Sequence, residues 1–241
     1  MIFVVAGTAA WAPGLENKEA WSAWSRAPRA ITGTAVPEVR FLPPLVRRRC
    51  SRLTRVLLQA AHDCLGESYR ESVPSVFASR HGDCAGALEI MTELAAYRPL
   101  TAGAFSHSVH NTAAGLYSIA TGNTAPSSTT AGARDTFGSA IIEGLGLLRR
   151  TRAERVLVVV GDEPLPDDLG QFTSEPTAPY AVALLIARHG EGQTVRCAAG
   201  GSDAPSRPWP HAVEFLRWLY SDETSLTTGA VRNRLTWMRD R

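Results

Sequence analysis

The sequence is short of the features that place a chain in a special class. Its four cysteines, Cys50, Cys64, Cys84 and Cys197, form no CxxC pair and have no histidines at an accompanying spacing. That argues against structural zinc and a disulfide framework, and suits a reducing cytoplasm. No apolar run approaches the length of a membrane span. The opening MIFVVAG is too short for a signal-peptide core and lacks a basic flank, so it reads as a buried first strand. Net charge is only +2 and the basic residues are scattered, which removes the electrostatic case for a nucleic-acid partner. There is no GxSxG, no internal repeat and no low-complexity tract. What remains is 241 residues at 44% hydrophobic and 20% charged, an ordinary globular composition able to build a sizeable core.

Periodicity predicts alternating strands and helices, hence a layered α/β domain. Ile2–Ala6 is a β-rich run closed by Gly7. Trp21 and Trp24 share one face of a helix from about Glu16 to Ser25, and Pro28 to Pro44 is irregular. Ser51–Leu65 is an amphipathic helix, with Leu53, Val56, Leu57, Ala60, Ala61 and Cys64 recurring at three and four and Gly66 closing it. Val73–Ser79 is a second strand. Asp83 caps a helix Ala85–Tyr97 that Pro99 stops. Val109–Ala120 is a helix rich in Ala and Gly, suited to deep burial or to close approach by another chain. Pro126–Thr130 is a short polar extended run. Phe137–Arg149 is a helix with Phe137, Ile141, Leu145 and Leu148 at helical spacing. Val156–Val160 is the continuous apolar strand expected of a parallel sheet covered on both faces. Asp162–Pro179, acidic and proline-rich, is expected on the surface. Ala181–Ala187 and Thr194–Ala199 read as strands, and His211–Tyr220 and Thr227–Met238 as closing helices.

The stretch Ser106–Gly146 carries the strongest functional signal. A helix, an extended run, the tight turn Gly132-Ala133-Arg134-Asp135-Thr136 and a second helix make a strand-to-helix elbow. Such an elbow pushes a reactive side chain out over a helix N-terminus. This one holds neither cysteine nor serine. His107 and His110, with Asp83 or Asp135, lack a third ligand at a diagnostic spacing, so no metal is expected. Ser106, Ser108, Ser127 and Ser128 are nucleophile candidates without a motif, and Ser139 lies a full turn inside the helix. Cys84 stands near a helix N-terminus, where the dipole lowers a thiol pKa, but has no dedicated base. Gly161-Asp162-Glu163 ends a strand, either as a ligand-holding sheet edge or as a plain turn. The dense basic run Arg47, Arg48 and Arg49, continued by Arg52 and Arg55, is either a solvated face or a dock for an acidic partner.

Asn111–Gly115 (NTAAG), Gly122, Pro126 with its short strand, the elbow with Gly138, and Val156–Glu163 (VLVVVGDE) resemble the N-terminal half of β-ketoacyl synthases of the thiolase fold. Pro44–Leu53 (PLVRRRCSRL) resembles their early arginine-rich helix. Ala10–Gly14 (AWAPG), Phe77–Gly82 (FASRHG) and Phe105–Asn111 (FSHSVHN) resemble a short subgroup, the chain-length-factor-like homologues of aryl polyene ketosynthase complexes. The resemblance implies a thiolase-like α/β fold in a single ketosynthase-like domain over 1–241. Within it, 1–190 is the N-terminal half and 191–241 a truncated remnant of the second.

Counted from Pro126, the nucleophilic cysteine of active relatives falls on Arg134; counted from Gly138 and Val156, it falls on Asp135. Neither is a thiol, and a thiolate is what attacks an acyl thioester. The two catalytic histidines and the glycine-rich oxyanion loop expected after Thr194–Gly201 are missing, and only His211 follows. The resemblance therefore implies a non-catalytic subunit, without cofactor, in a cytoplasmic heterodimer with an active β-ketoacyl-acyl carrier protein synthase. It would shape the acyl tunnel and meet acyl carrier protein through the complex. Pro126, Ser127, Ser128, Thr129 and Thr130 would pair across a two-fold with the equivalent strand of the other subunit. His110, Asn111, Thr112, Ala113, Ala114 and Gly115, with Phe137, would border that subunit's tunnel, where residue size sets the length that fits. Arg47, Arg48, Arg49 and Arg52 form the candidate carrier-protein dock. Two competing readings are an acyl-thioester hydrolase or transferase acting alone through Asp135, His110 or a serine, and a carrier-protein docking scaffold.

Overall fold

A computed structural model of the chain describes residues 1–66, 68, 72–173, 176–200, 208–229 and 233–240, with the side chains of Ala104 and His107 outside that set. Its strands are β1 (Ile2–Trp11), β2 (Ser75–Ala78), β3 (Ser127–Thr130), β4 (Arg155–Asp162), β5 (Tyr180–Ala187), β6 (Gln193–Ala199), β7 (Ser225–Thr228) and β8 (Leu235–Arg239). Together they form one eight-stranded sheet in the order β3-β2-β4-β5-β1-β6-β8-β7. The helices are α1 (Lys18–Arg26), α2 (Pro44–Arg49), α3 (Arg52–Leu65), α4 (Cys84–Ala95), α5 (Ala102–Ser108), α6 (Thr112–Thr121), α7 (Thr136–Thr151) and α8 (His211–Leu219). None among the described residues is long and apolar enough to cross a membrane.

Strand alternation sends side chains to two cores. Val156, Val158 and Val160 of β4 join the core under α7, α8 and α1, with Phe137, Ile141, Leu145, Leu148, Trp21 and Trp24. Leu157 and Val159 join the opposite core under α3 and α6, with Val56, Leu57 and Tyr117. The helix starts follow local chemistry. Asn17 accepts from Ala20 N at 2.9 Å, Ser51 from Thr54 N at 3.2 Å and Asp83 from Gly86 N at 3.0 Å, each filling an otherwise orphan donor site.

Several expectations are corrected. β1 does not stop at Gly7; it runs to Trp11, with a register shift between Val5 and Gly7 where it leaves β6 and stays on β5. β4 is parallel only to β2; toward β5 it is antiparallel, from Arg155↔Ala187 to Asp162↔Tyr180. Its unbroken apolar run reflects cover on both faces, not strand direction. The small-residue helix starts at Thr112 rather than Val109, and a separate helix, α5, precedes it.

Thr227–Met238 is not a helix. β7 and β8 pair antiparallel with Leu226 opposite Trp237, and Leu226, Leu235 and Trp237 point into the core at strand period. Residues 230–232 between them lie outside the described set, as do Gly201 and residues 174–175. Asp162 and Glu163 do not begin a surface excursion; they are 4% and 7% exposed.

Candidate functional site

β2 and β4 run side by side and end at Ala78 and Asp162. Outside them β3 delivers the chain to the turn that opens α7. Gly132 N donates to Thr136 Oγ1 at 3.0 Å, Thr136 Oγ1 donates to the Ala133 carbonyl at 2.7 Å, and Asp135 N donates to the Gly132 carbonyl at 2.8 Å. A Cβ on Gly132 would lie 2.5 Å from Ser139 Oγ and 3.3 Å from the Asp135 carbonyl, so the Ser139 hydroxyl would have to rotate away. Ala133 takes the left-handed conformation, φ +49°, which is uncommon for a residue with a Cβ and recurs where sites store strain. Arg134 is exposed, while Asp135 Oδ2 accepts from Asn233 Nδ2 at 3.2 Å.

Beside the turn lies a cavity of about 30 Å³, bordered by Arg80, Ala133, Arg134, Asp162, Tyr180 and His211. That is room for about one water. Asp162 is the anchor of this end of the sheet. Its Oδ1 accepts from Ser79 Oγ at 2.6 Å, Arg80 N at 2.8 Å and His81 N at 3.0 Å, tying the loop after β2 to the end of β4. Burial pushes its carboxyl up to about 6, against the opposing pull of those three bonds. Glu163 is likewise raised by burial, then by Asp83, and its partner Arg52 opposes this from 3.4 Å.

The remaining candidates fall into place around this anchor. His110 Nε2 sits 3.1 Å from the Ser79 carbonyl, so that ring braces the same loop. Cys84 is pushed up by burial, by Asp83 and by Glu163, the reverse of what a nucleophilic thiol needs. Among the described residues no group of three or more His, Cys, Asp or Glu could hold a metal; the His107 side chain lies outside them.

Along α6, Ala113 and Ala114 are buried against this chain's own core, whereas Asn111, Gly115 and Ile119 are exposed and Thr112 half-buried. Phe137 is buried with Phe215 and Trp237. Pro126 and Ser127 are exposed at the start of β3, and Ser128, Thr129 and Thr130 are half-buried on the open edge of the sheet. Ser128 Oγ is buried there with no hydrogen-bond partner.

α4 packs chiefly on α5 and has no fully buried residue. α4 reads CAGALEIMTELA, yet none of its residues is buried; Met91 is 57% and Leu94 55% exposed, and beyond its end Tyr97 is 97% exposed. Phe105 and Val109 extend this apolar surface past α5. Helices this apolar are normally covered, and exposed apolar patches of this kind mark interaction sites. α2 is different in character. It too buries nothing, and it exposes Leu45 beside Arg48 and Arg49, with Arg47 half-buried. Arg52 is held by Glu163 and by the Thr34 carbonyl, and Arg55 by the Cys50 and Arg47 carbonyls, so the basic face reduces to α2 itself.

The family model described as β-ketoacyl synthase, N-terminal domain, matches residues 21–238. The chain belongs to that family, and its α/β sheet is the thiolase-like layer of ketosynthases. A solved chain from the ketosynthase ApeO in complex with its chain length factor ApeC, from Xenorhabdus doucetiae, is 26% identical with a TM-score of 0.83, over 99% of this chain and 100% of that one. The ishigamide ketosynthase/chain length factor is 18% identical with a TM-score of 0.67, over 83% of this chain and 68% of that one. A β-ketoacyl synthase from Burkholderia phymatum STM815 is 13% identical with a TM-score of 0.64, over 83% of this chain and 65% of that one. These last two share the fold. No curated protein matches the chain in sequence.

Proposed function

We propose that this chain is a non-catalytic, chain-length-factor-like subunit that pairs with an active β-ketoacyl-acyl carrier protein synthase during aryl polyene-type chain elongation. The carrying observation is the elbow. It keeps the strained turn at the head of α7, but Ala133, Arg134 and Asp135 offer no thiol, and the space beside them is about 30 Å³. Acyl transfer by the family's route needs a thiol nucleophile and room for a thioester beside it, and the lack of both at the elbow supports this reading. By backbone conformation Ala133 is a third claimant to the lost nucleophile position beside Arg134 and Asp135.

The partner covers the apolar surface of α4 and α5 and the open edge of β3, where Ser128 Oγ waits for a hydrogen-bond partner. His110, Asn111, Thr112 and Gly115 border the shared tunnel; Ala113, Ala114 and Phe137 set the wall from behind by positioning α6 and α7. The whole chain acts as one ketosynthase-like domain in the cytoplasm, with 191–241 standing in for the second half. α2 receives the acidic carrier protein through Arg47, Arg48 and Arg49. The similarity to a chain of the ApeO/ApeC complex supports this reading.

The test is co-expression with a ketosynthase from the same gene neighbourhood. A stoichiometric complex is expected. A stable monomer that never co-purifies with any ketosynthase contradicts the reading, as does thioester turnover by the isolated chain that is lost in Asp135→Ala.

A further inference from the structure

A second concave site lies at the opposite end of the sheet from the elbow. It is a groove of about 250 Å³ where the last turn of α7 meets the start of β1 and the end of β5. Its floor is apolar and buried: Phe3, Leu145, Leu148 and Ala187 are all 9% exposed or less. Met1 and Ile2 form an exposed apolar wall, Ile2 at 54%. The mouth carries the exposed guanidinium groups of Arg149 and Arg188 beside the exposed His189 ring, and among the described residues no carboxylate lines the groove. Glu143, Glu154 and Glu191 are near in sequence but are not among its lining residues. Arg188 Nη2 donates to the Leu148 carbonyl, which fixes that guanidinium at the mouth over the end of α7. The Met1 ammonium is turned away, donating to the Cys197 carbonyl at 2.7 Å.

An apolar floor with convergent cations at one end selects an amphipathic anion. We propose that this groove binds a single-chain alkyl carboxylate, its chain along Phe3, Leu145 and Leu148 and its carboxylate at Arg149 and Arg188. The apolar floor requires a chain, because a small inorganic anion would leave it wet. The cationic mouth requires the acid, because an alcohol would leave the guanidinium groups without a counter-charge. This site stands apart from the proposed partner surface on α4 and β3, so it can be tested whatever that surface does.

The experiment is calorimetric titration of the full chain with butanoate, hexanoate, octanoate and octanol. Affinity should rise about fourfold for each added methylene, the factor expected when a methylene leaves water. Octanol should bind more weakly than octanoate. Arg149→Gln, which removes an exposed guanidinium and leaves the fold intact, should weaken octanoate by about tenfold or more. Three outcomes each overturn the proposal: no saturable octanoate binding, affinity that is flat along the series, or affinity unmoved by Arg149→Gln. Binding of phosphatidylglycerol vesicles through Arg149, with octanoate silent, also overturns it and makes the groove a membrane contact.

Discussion

Replacing Asp162 with Asn isolates the buried carboxyl that ties β2 to β4. The side chain is 4% exposed, and its Oδ1 accepts from Ser79 Oγ, Arg80 N and His81 N of the 79–81 loop. The amide oxygen of Asn can accept the same three bonds, so the substitution removes the titration and keeps the geometry. In the folded chain the carboxyl titrates at about 6 against an ordinary value of 3.8, because burial disfavours its charge. The folded state therefore holds the proton to higher pH than the unfolded state does. The resulting stability is fully present below the unfolded value and is lost as pH rises through about 6. At about 1.36 kcal/mol per pKa unit the full effect is about 3 kcal/mol, of which about 1 kcal/mol is regained between pH 7 and pH 5. Urea unfolding of the wild type and Asp162→Asn at the two pH values reads it directly. The wild type should gain about 1 kcal/mol on the variant between pH 7 and pH 5. A gap that stays constant, or moves the other way, refutes the assignment of Asp162 as a carboxyl raised by burial.

Three further outcomes follow from the packing and the exposed faces. Gly161→Ala should destabilise by about 3 kcal/mol or more in thermal or urea unfolding, since its Cβ would lie 2.4 Å from the Tyr180 carbonyl oxygen on the paired strand. Met91→Asp and Leu94→Asp, on the uncovered face of α4, should change monomer stability by less than about 0.5 kcal/mol yet abolish co-purification with the ketosynthase. Arg48→Glu with Arg49→Glu should weaken carrier-protein binding in a salt-dependent way while leaving the heterodimer intact, as measured by titration at two ionic strengths.

The elbow helix was legible because Phe137, Ile141, Leu145 and Leu148 repeat at helical spacing and all four are buried. α3 was legible for the same reason, with Ser51 and Gly66 marking its ends. The β7–β8 hairpin was not. Its two strands are four and five residues long, too short for periodicity to outweigh the helical look of the joined stretch. α5 escaped because Ala102–Ser108 is small and polar and buries little to leave a pattern. Asp162 was placed in an acidic, proline-rich loop because a carboxylate that anchors a neighbouring strand's loop carries no local sequence signal. Its partners Ser79, Arg80 and His81 are more than 80 residues away. The same holds for α4. Its apolar sequence suits a buried helix, and only the fold reveals that none of its residues is buried among the described residues.

Intact-protein mass spectrometry of the co-expressed pair, after incubation with an acyl-loaded carrier protein, tests the central proposal most directly. The acyl adduct should appear on the ketosynthase alone, with this chain unmodified at every time point. An acyl adduct on this chain, at Asp135, a serine or any cysteine, contradicts it.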